Sequence, residues 1–396
     1  MNSTSMNENM DVLVITGALY PNGNAEARRI HLFCKILKEN GYKIFVCGNA
    51  KTGYLQIREY DKIFYTSLKT NSNNILMKYI GLKTYAIRLK RYLNSIKKDN
   101  LPSVLLASDI SNHAIHVLKR FCKMNNIQLV YDCVEWYSPS EFYYGKYSKG
   151  YREKNKQNSV VIDKTMKIIS ISEYFYTYFT EKGIQTERIP ILCDFIVEPT
   201  QVRLSQNKIV FIYAGNPGNK DNLKILFDAL LKMKDNSKEK FVFEFIGITN
   251  TFLKNHYKYS DKEIERLEKN CVFLGAMPHE EVIKHYKKAN FSLLFRDETE
   301  LYAKAGFPSK VVESLQYGVP VLCNYSSDLK KYLNSEFNAI VIESADSDSC
   351  VKGLEEINNL NIDALNQMKI NSITTAQKYF YYKNFERIFL DLLFKK

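Results

Sequence analysis

The chain starts the same way twice. At residues 11–15 a short run of Val, Leu and Ile leads into a Gly/Pro/Asn loop, 17–24, and then into a helical stretch, 25–40, closed by Gly41. At 208–213 the pattern restarts, with the loop 214–220 and another amphipathic stretch behind it. Apolar run, glycine loop, amphipathic stretch is the mark of a βα unit, in which a strand buried on both faces feeds a helix that packs back on the sheet. Two such starts in 396 residues predict two α/β domains, since one core rarely grows that large.

Further apolar runs fill both halves. Strands are expected at 43–47, 103–107, 128–131 and 167–171, then at 241–246, 271–274, 291–295, 320–323 and 339–342. The pattern loosens after Pro190, which places a linker at about 190–207. The expected domains are 10–190, with a C-terminal helix at about 378–396 packing back on it, and 207–377. Phe385, Ile388, Phe389, Leu392 and Leu393 give that last helix one apolar stripe. Residues 1–10 are polar and patternless, without the apolar core of a signal peptide.

Composition excludes several classes. No run approaches the roughly 18 apolar residues of a spanning helix. Eight scattered cysteines without a CxxC pair read as reduced, buried thiols of a cytoplasmic protein, with no metal site. The net charge of +13 suits a phosphorylated substrate or an anionic membrane face, and also follows from a lysine-rich composition. No nucleic-acid motif accompanies it. Neither glycine loop spells GxGxxG, which argues against a dinucleotide fingerprint.

The segment 296–321 carries the most chemistry. A strand ends at Phe295, a loop with Gly306 follows, and a helix starts near Ser309 and stops at Gly318 before Pro320. A helix N-terminus presents unpaired amides and a positive dipole end, suited to an anion. Lys310 and Glu313, three residues apart, share one helix face there. The lysine and Arg296 suit phosphate, and the carboxylate suits sugar hydroxyls. In the loop before the second helix, the amides of Gly215 and Asn216, together with Lys220, offer a second phosphate cradle.

The run Gly-Phe-Pro-Ser-Lys-Val-Val-Glu-Ser-Leu-Gln-Tyr-Gly-Val-Pro-Val at 306–321 resembles the donor-site signature of family 4 retaining glycosyltransferases. Residues 273–282, Phe-Leu-Gly-Ala-Met-Pro-His-Glu-Glu-Val, resemble that family's strand and loop beside the nucleotide base, and 12–24 its N-terminal phosphate-facing loop. The resemblance implies a GT-B fold, two Rossmann-like domains facing a central cleft, with the donor in the C-terminal one. It implies that Glu313 holds the ribose and that Arg296 and Lys220 face the diphosphate. The backbone N–H groups of Gly306 and Phe307 lie near sugar and phosphates. Gly275, Ala276 and Met277 line the base, and Gly23 and Asn24 cover the diphosphate from the other domain. The co-substrate is a UDP- or GDP-sugar, no cofactor or metal is required, and anomeric configuration is retained. One position departs: Ala305 stands where the family commonly has a donor-sugar glutamate, with Glu298 and Glu300 nearby but out of register.

In the first half, Asp132 and Glu135 follow an apolar strand, at the end where open α/β sheets bind ligands. They are candidates to orient an acceptor, and Trp136 to stack on its sugar. Asp109 follows another strand, with His113 and His116 on the next helix. Residues 75–98 form a basic amphipathic stretch, either a solvated face or a rest on anionic membrane beside a lipid-linked acceptor. The function expected is transfer of a hexose to a glycan of bacterial surface-polysaccharide synthesis, in the cytoplasm or on the inner face of the plasma membrane. The rival is an inactive carbohydrate-binding or assembly subunit of the same fold; an epimerase and a nucleic-acid binder fit less well.

Overall fold

The computed structural model describes residues 10–49, 53–69, 75–194 and 208–395, and for 75–83 the backbone alone. Residues 1–9 and the linker stretch 195–207 lie outside them, as do the side chains of Ile80 and Lys83. The chain divides into two compact units, one within 1–192 and 382–396, the other within 193–381.

The first unit holds an eight-stranded sheet: β1 (Val12–Thr16), β2 (Ile44–Gly48), β3 (Arg58–Tyr60), β4 (Ile63–Ser67), β5 (Val104–Ser108), β6 (Gln128–Cys133), β7 (Lys167–Ser170) and β8 (Thr186–Arg188). Their spatial order is β3-β4-β2-β1-β5-β6-β7-β8. All pairs are parallel except the β3–β4 hairpin. β1 is wholly buried, which is why it reads as an unbroken apolar run. The order reverses direction between β1 and β5, and that reversal is where doubly wound sheets open a crevice.

The second unit repeats the scheme with β9 (Ile209–Ala214), β10 (Phe241–Ile246), β11 (Cys271–Gly275), β12 (Phe291–Leu294), β13 (Val321–Cys323) and β14 (Ala339–Val341). The order is β11-β10-β9-β12-β13-β14, all parallel, so its reversal falls between β9 and β12. Phe211, Phe243 and Phe291 stack across the centre of this sheet.

The C-terminal segment does pack on the first unit. It is a single turn, Tyr382–Phe385, followed by the helix Glu386–Phe394, rather than one continuous helix. Phe389 stacks on Phe33 at 4.7 Å and Phe394 on Tyr42 at 4.4 Å, while the Tyr382 hydroxyl donates to Glu39. The two ends of the second unit meet, with the Cys193 amide donating to the Phe380 carbonyl at 2.8 Å.

Trp136 is not an exposed platform. It is 6% exposed, lies parallel to Phe175 at 5.9 Å, and gives its indole N–H to Asn155. An aromatic residue just past a buried strand fills the space under the following helix, and here that space is core.

Candidate functional site

In the second unit, three of the residues singled out by sequence, Gly215, Arg296 and Lys310, meet at the reversal point. β9 ends at Ala214 and β12 at Leu294, and the loops beyond them are stitched together by the Asn222 amide donating to the Phe295 carbonyl at 2.7 Å. Arg296 follows directly. Its amide donates to Asn324 Oδ1, and Asn324 Nδ2 returns a bond to the Arg296 carbonyl.

At the centre stands a residue the sequence did not mark. Asp221 is closed off from solvent, with a side chain 2% exposed. Its Oδ1 accepts from Arg296 Nε at 2.8 Å; its Oδ2 accepts from Lys310 Nζ and the Tyr213 hydroxyl, each at 2.8 Å. Burial alone would push this carboxyl up, but Lys310 and then Arg296 outweigh it and hold it well below the usual carboxylate range. Burial likewise works against the Arg296 charge, and Asp221 more than restores it. Two cations share one carboxylate, so the cluster keeps one positive charge in a sparsely solvated place. That surplus suits an anion.

Glycines make room for this arrangement. A Cβ on Gly215, whose φ is +139°, would lie 2.6 Å from Lys310 Cε, so the lysine stem runs across the bare glycine. A Cβ on Gly247 would lie as close to the Gly215 carbonyl oxygen, and the Gly247 amide donates to the Gly275 carbonyl at 2.7 Å. The ends of β9, β10 and β11 therefore form one ledge. Met277, next to exposed Ala276, packs against the small core around Ile212, Ile246 and Val282. Asn216 is exposed, its Oδ1 accepting the Gly218 amide, and Lys220 is half-buried with its carbonyl bonded by Tyr302.

The helix Ser309–Gln316 begins at Pro308, which has no side chain able to cap it, so its positive end opens beside Lys310. Glu313 is half-buried one turn on. Phe307 is buried against Tyr332 and Phe380, and the Gly306 amide donates to the Tyr302 carbonyl, closing the helix Leu301–Ala305. Ala305 is fully buried. Glu298, by contrast, is exposed and tied to Asn324, the residue that anchors Arg296.

The first unit has its own cluster at its reversal point. Gly17 donates to the Ser108 carbonyl, and a Cβ there would collide with the Asp109 carbonyl at 1.8 Å. Asp109 holds φ +48°, a strained conformation for a residue with a side chain. Beside it Glu26 accepts from the Ser108 hydroxyl. Burial, reinforced by the Asp109 charge, pushes Glu26 up to about 8. Burial also raises Asp109, with Lys154 opposing and Glu135 adding to the effect. Two carboxyls thus contend for one proton, beside the half-buried Glu135. Glu26, like Asp221, is a residue the sequence did not mark.

Asp132 sits deeper. Arg29 Nε and Nη2 grip its two oxygens at 2.9 Å, and the same guanidinium donates to the carbonyls of Ile189 and Pro190. Both side chains are essentially unexposed. Asn24 caps the first helix, accepting the Ala27 amide, and the Gly23 amide donates to the Leu19 carbonyl.

With this geometry in place, comparison with known proteins adds a match over the second unit. Residues 195–375 match the model of the family Glycosyl transferases group 1. The matched stretch contains the whole Asp221–Arg296–Lys310 cluster. No curated protein sequence matches the chain. Among solved structures, the sucrose-phosphate synthase of Thermosynechococcus elongatus is similar at 14% identity, covering 97% of this chain and 98% of that one, with a TM-score of 0.70. The Anabaena protein HepE, in complex with UDP and glucose, is 15% identical over 97% and 99%, with a TM-score of 0.68. A Burkholderia multivorans trehalose 6-phosphate synthase is 10% identical over 97% and 96%, at 0.65. The fold is GT-B: two Rossmann-like α/β sheets in one chain.

Proposed function

We propose that the chain is a glycosyltransferase that moves a hexose from a UDP- or GDP-sugar to a hydroxyl of a lipid-linked polysaccharide acceptor, with retention of configuration, on the inner face of the plasma membrane. The observation that carries the reading is the Asp221-tethered pair Arg296 and Lys310 at the reversal point of the unit that matches a glycosyltransferase model.

Transfer leaves negative charge on the departing diphosphate. Groups already held in place stabilise that charge without reorganising, which is worth most where water is scarce. Arg296 and Lys310 are held in this way, and Lys310 sits in the first turn of the Ser309–Gln316 helix, whose N-terminus has no side-chain cap. Glu313 then holds the ribose and the Gly275–Met277 ledge the base. In the first unit, Glu135 with the Glu26–Asp109 pair receives the acceptor hydroxyl. Asp132 acts on them only through Arg29, as a positioning residue. With Ala305 buried, Glu298 is the carboxylate left to meet the donor sugar. The competing reading, an inactive carbohydrate-binding subunit, draws on the same Ala305.

The test is thermal shift against UDP, GDP and CMP and their sugars. One nucleotide diphosphate is expected to raise the melting temperature of the parent, and to raise it less for Glu313→Ala. Stabilisation without sugar release in the presence of lipid-linked glycans selects the inactive-subunit reading. No shift with any nucleotide refutes the donor site.

A further inference from the structure

The first unit carries a surface that neither the donor nor the acceptor reading uses. Between the helices Ile75–Ser95 and Asn112–Asn125 runs a groove of about 750 Å³. That size belongs with ligand-sized clefts. Phe121 forms part of its floor, and two large apolar side chains stand in the open beside it, Ile87 at 52% and Met124 at 72% exposure. Lys90, Lys98 and Arg120 line the same groove, all exposed.

Among the described residues no carboxylate lines the groove; Asp99, the neighbour of Lys98 in the chain, is not part of it. Among the described residues, none of these three cations has an ion-pair partner. Other exposed lysines do find carboxylates, as Lys232 finds Asp348 and Lys254 finds Asp261. Unpaired cations around exposed apolar side chains match the two halves of an anionic phospholipid, whose phosphate lies at the same depth as the start of its acyl chains. An acidic peptide would account for the cations but leave Ile87 and Met124 in water.

We infer that this groove docks the protein on an anionic phospholipid bilayer, with Ile87 and Met124 entering the acyl boundary and Lys90, Lys98 and Arg120 on the lipid phosphates. The inference deepens the lipid-linked acceptor reading and rests on it for its purpose, while the contact itself requires neither donor nor acceptor.

The experiment is flotation of the full chain with vesicles of phosphatidylcholine alone, or with roughly a third phosphatidylglycerol, an anionic fraction chosen to give a substantial surface potential. The parent is expected to float with the anionic vesicles and to stay behind with the neutral ones. Lys90→Glu with Arg120→Glu is expected to lower partitioning at least about tenfold. Ile87→Ser with Met124→Ser should abolish the part of the binding that survives high salt, which screens the charges but not the apolar contact. All four positions are exposed, so melting temperatures should match the parent and serve as the folding control. A parent that does not float, or a charge-reversed variant that floats as well as the parent, overturns the inference. Displacement by millimolar glycerol phosphate would assign the cations to free phosphate and overturn it too. Protein that a nucleotide stabilises but that does not float refutes this inference alone. Protein that floats but that no nucleotide stabilises refutes the transfer reading alone.

Discussion

Asp221→Asn removes one charge and almost no volume, and its effect can be worked from three hydrogen bonds. The aspartate receives Arg296 on one oxygen and Lys310 with Tyr213 on the other. An asparagine keeps one acceptor, which Arg296 retains, and turns an N–H group toward the lysine. The Tyr213 hydroxyl can rotate to accept, but the lysine is left facing a donor. Breaking a buried ion pair from one side costs about 3–5 kcal/mol. Lys310 is 20% exposed and recovers some hydration, so the lower end applies. For a folding unit of this size, about 3 kcal/mol lowers the melting temperature by about 6–12 °C. A bound nucleotide diphosphate replaces the missing negative charge, so the deficit should fall to less than half when the nucleotide that stabilises the parent is saturating. Differential scanning fluorimetry, with and without that nucleotide, reads both quantities. A deficit of about 1 °C or less, or the same deficit with and without nucleotide, would refute the reasoning that Asp221 balances cations reserved for phosphate.

Gly215→Ala should weaken nucleotide binding and lower the melting temperature, because the added methyl meets Lys310 Cε at 2.6 Å in a backbone conformation that disfavours alanine; an unchanged nucleotide titration would show that Lys310 takes no part. Glu26 has a folded-state pKa raised to about 8, so the stability it contributes is full in acid and lost as pH climbs from its ordinary value towards 8. Urea unfolding of the parent between pH 6 and 8 should show a decline of at most about 1.4 kcal/mol per pH unit, and Glu26→Gln should flatten it. Asp132→Asn should act on folding, since it strands the buried Arg29, whereas Glu135→Gln should leave the melting temperature alone and raise KM for the acceptor. Equal effects of the two on KM would contradict their different burial.

The sequence was most readable where local chemistry and local geometry coincide. The helix at Ser309, its stop at Gly318 and the strand after Pro320 all follow from neighbours a few residues apart, and so the donor segment with Lys310 could be recognised. Asp221 could not. It lies in a loop beside Lys220, where an acid reads as a solvated charge, and the partners that bury it are 75 and 89 residues away. The pairing of Glu26 with Asp109 was hidden for the same reason, since only the sheet order brings the ends of β1 and β5 together. The β3–β4 hairpin escaped because its turn, Asp61–Lys62, takes positive φ at both residues without the glycine or asparagine that normally marks one. β8 is three residues long and mostly polar, too short for a period to show.

The ring stacking between Phe33 and Phe389 bears on how the molecule is made. The ribosome delivers the partners about 356 residues apart. At 5–20 residues per second, roughly 20–70 s separate the emergence of one ring from that of the other. For about the last 10–40 s of that interval the first unit has all eight of its strands but lacks the helix that covers Phe33 and Tyr42. The second unit, bounded by Cys193 and Tyr381, has no such debt to a later segment. The nascent chain therefore completes its second unit before its first, whose face at Phe33 and Tyr42 stays uncovered until the helix Glu386–Phe394 has been made.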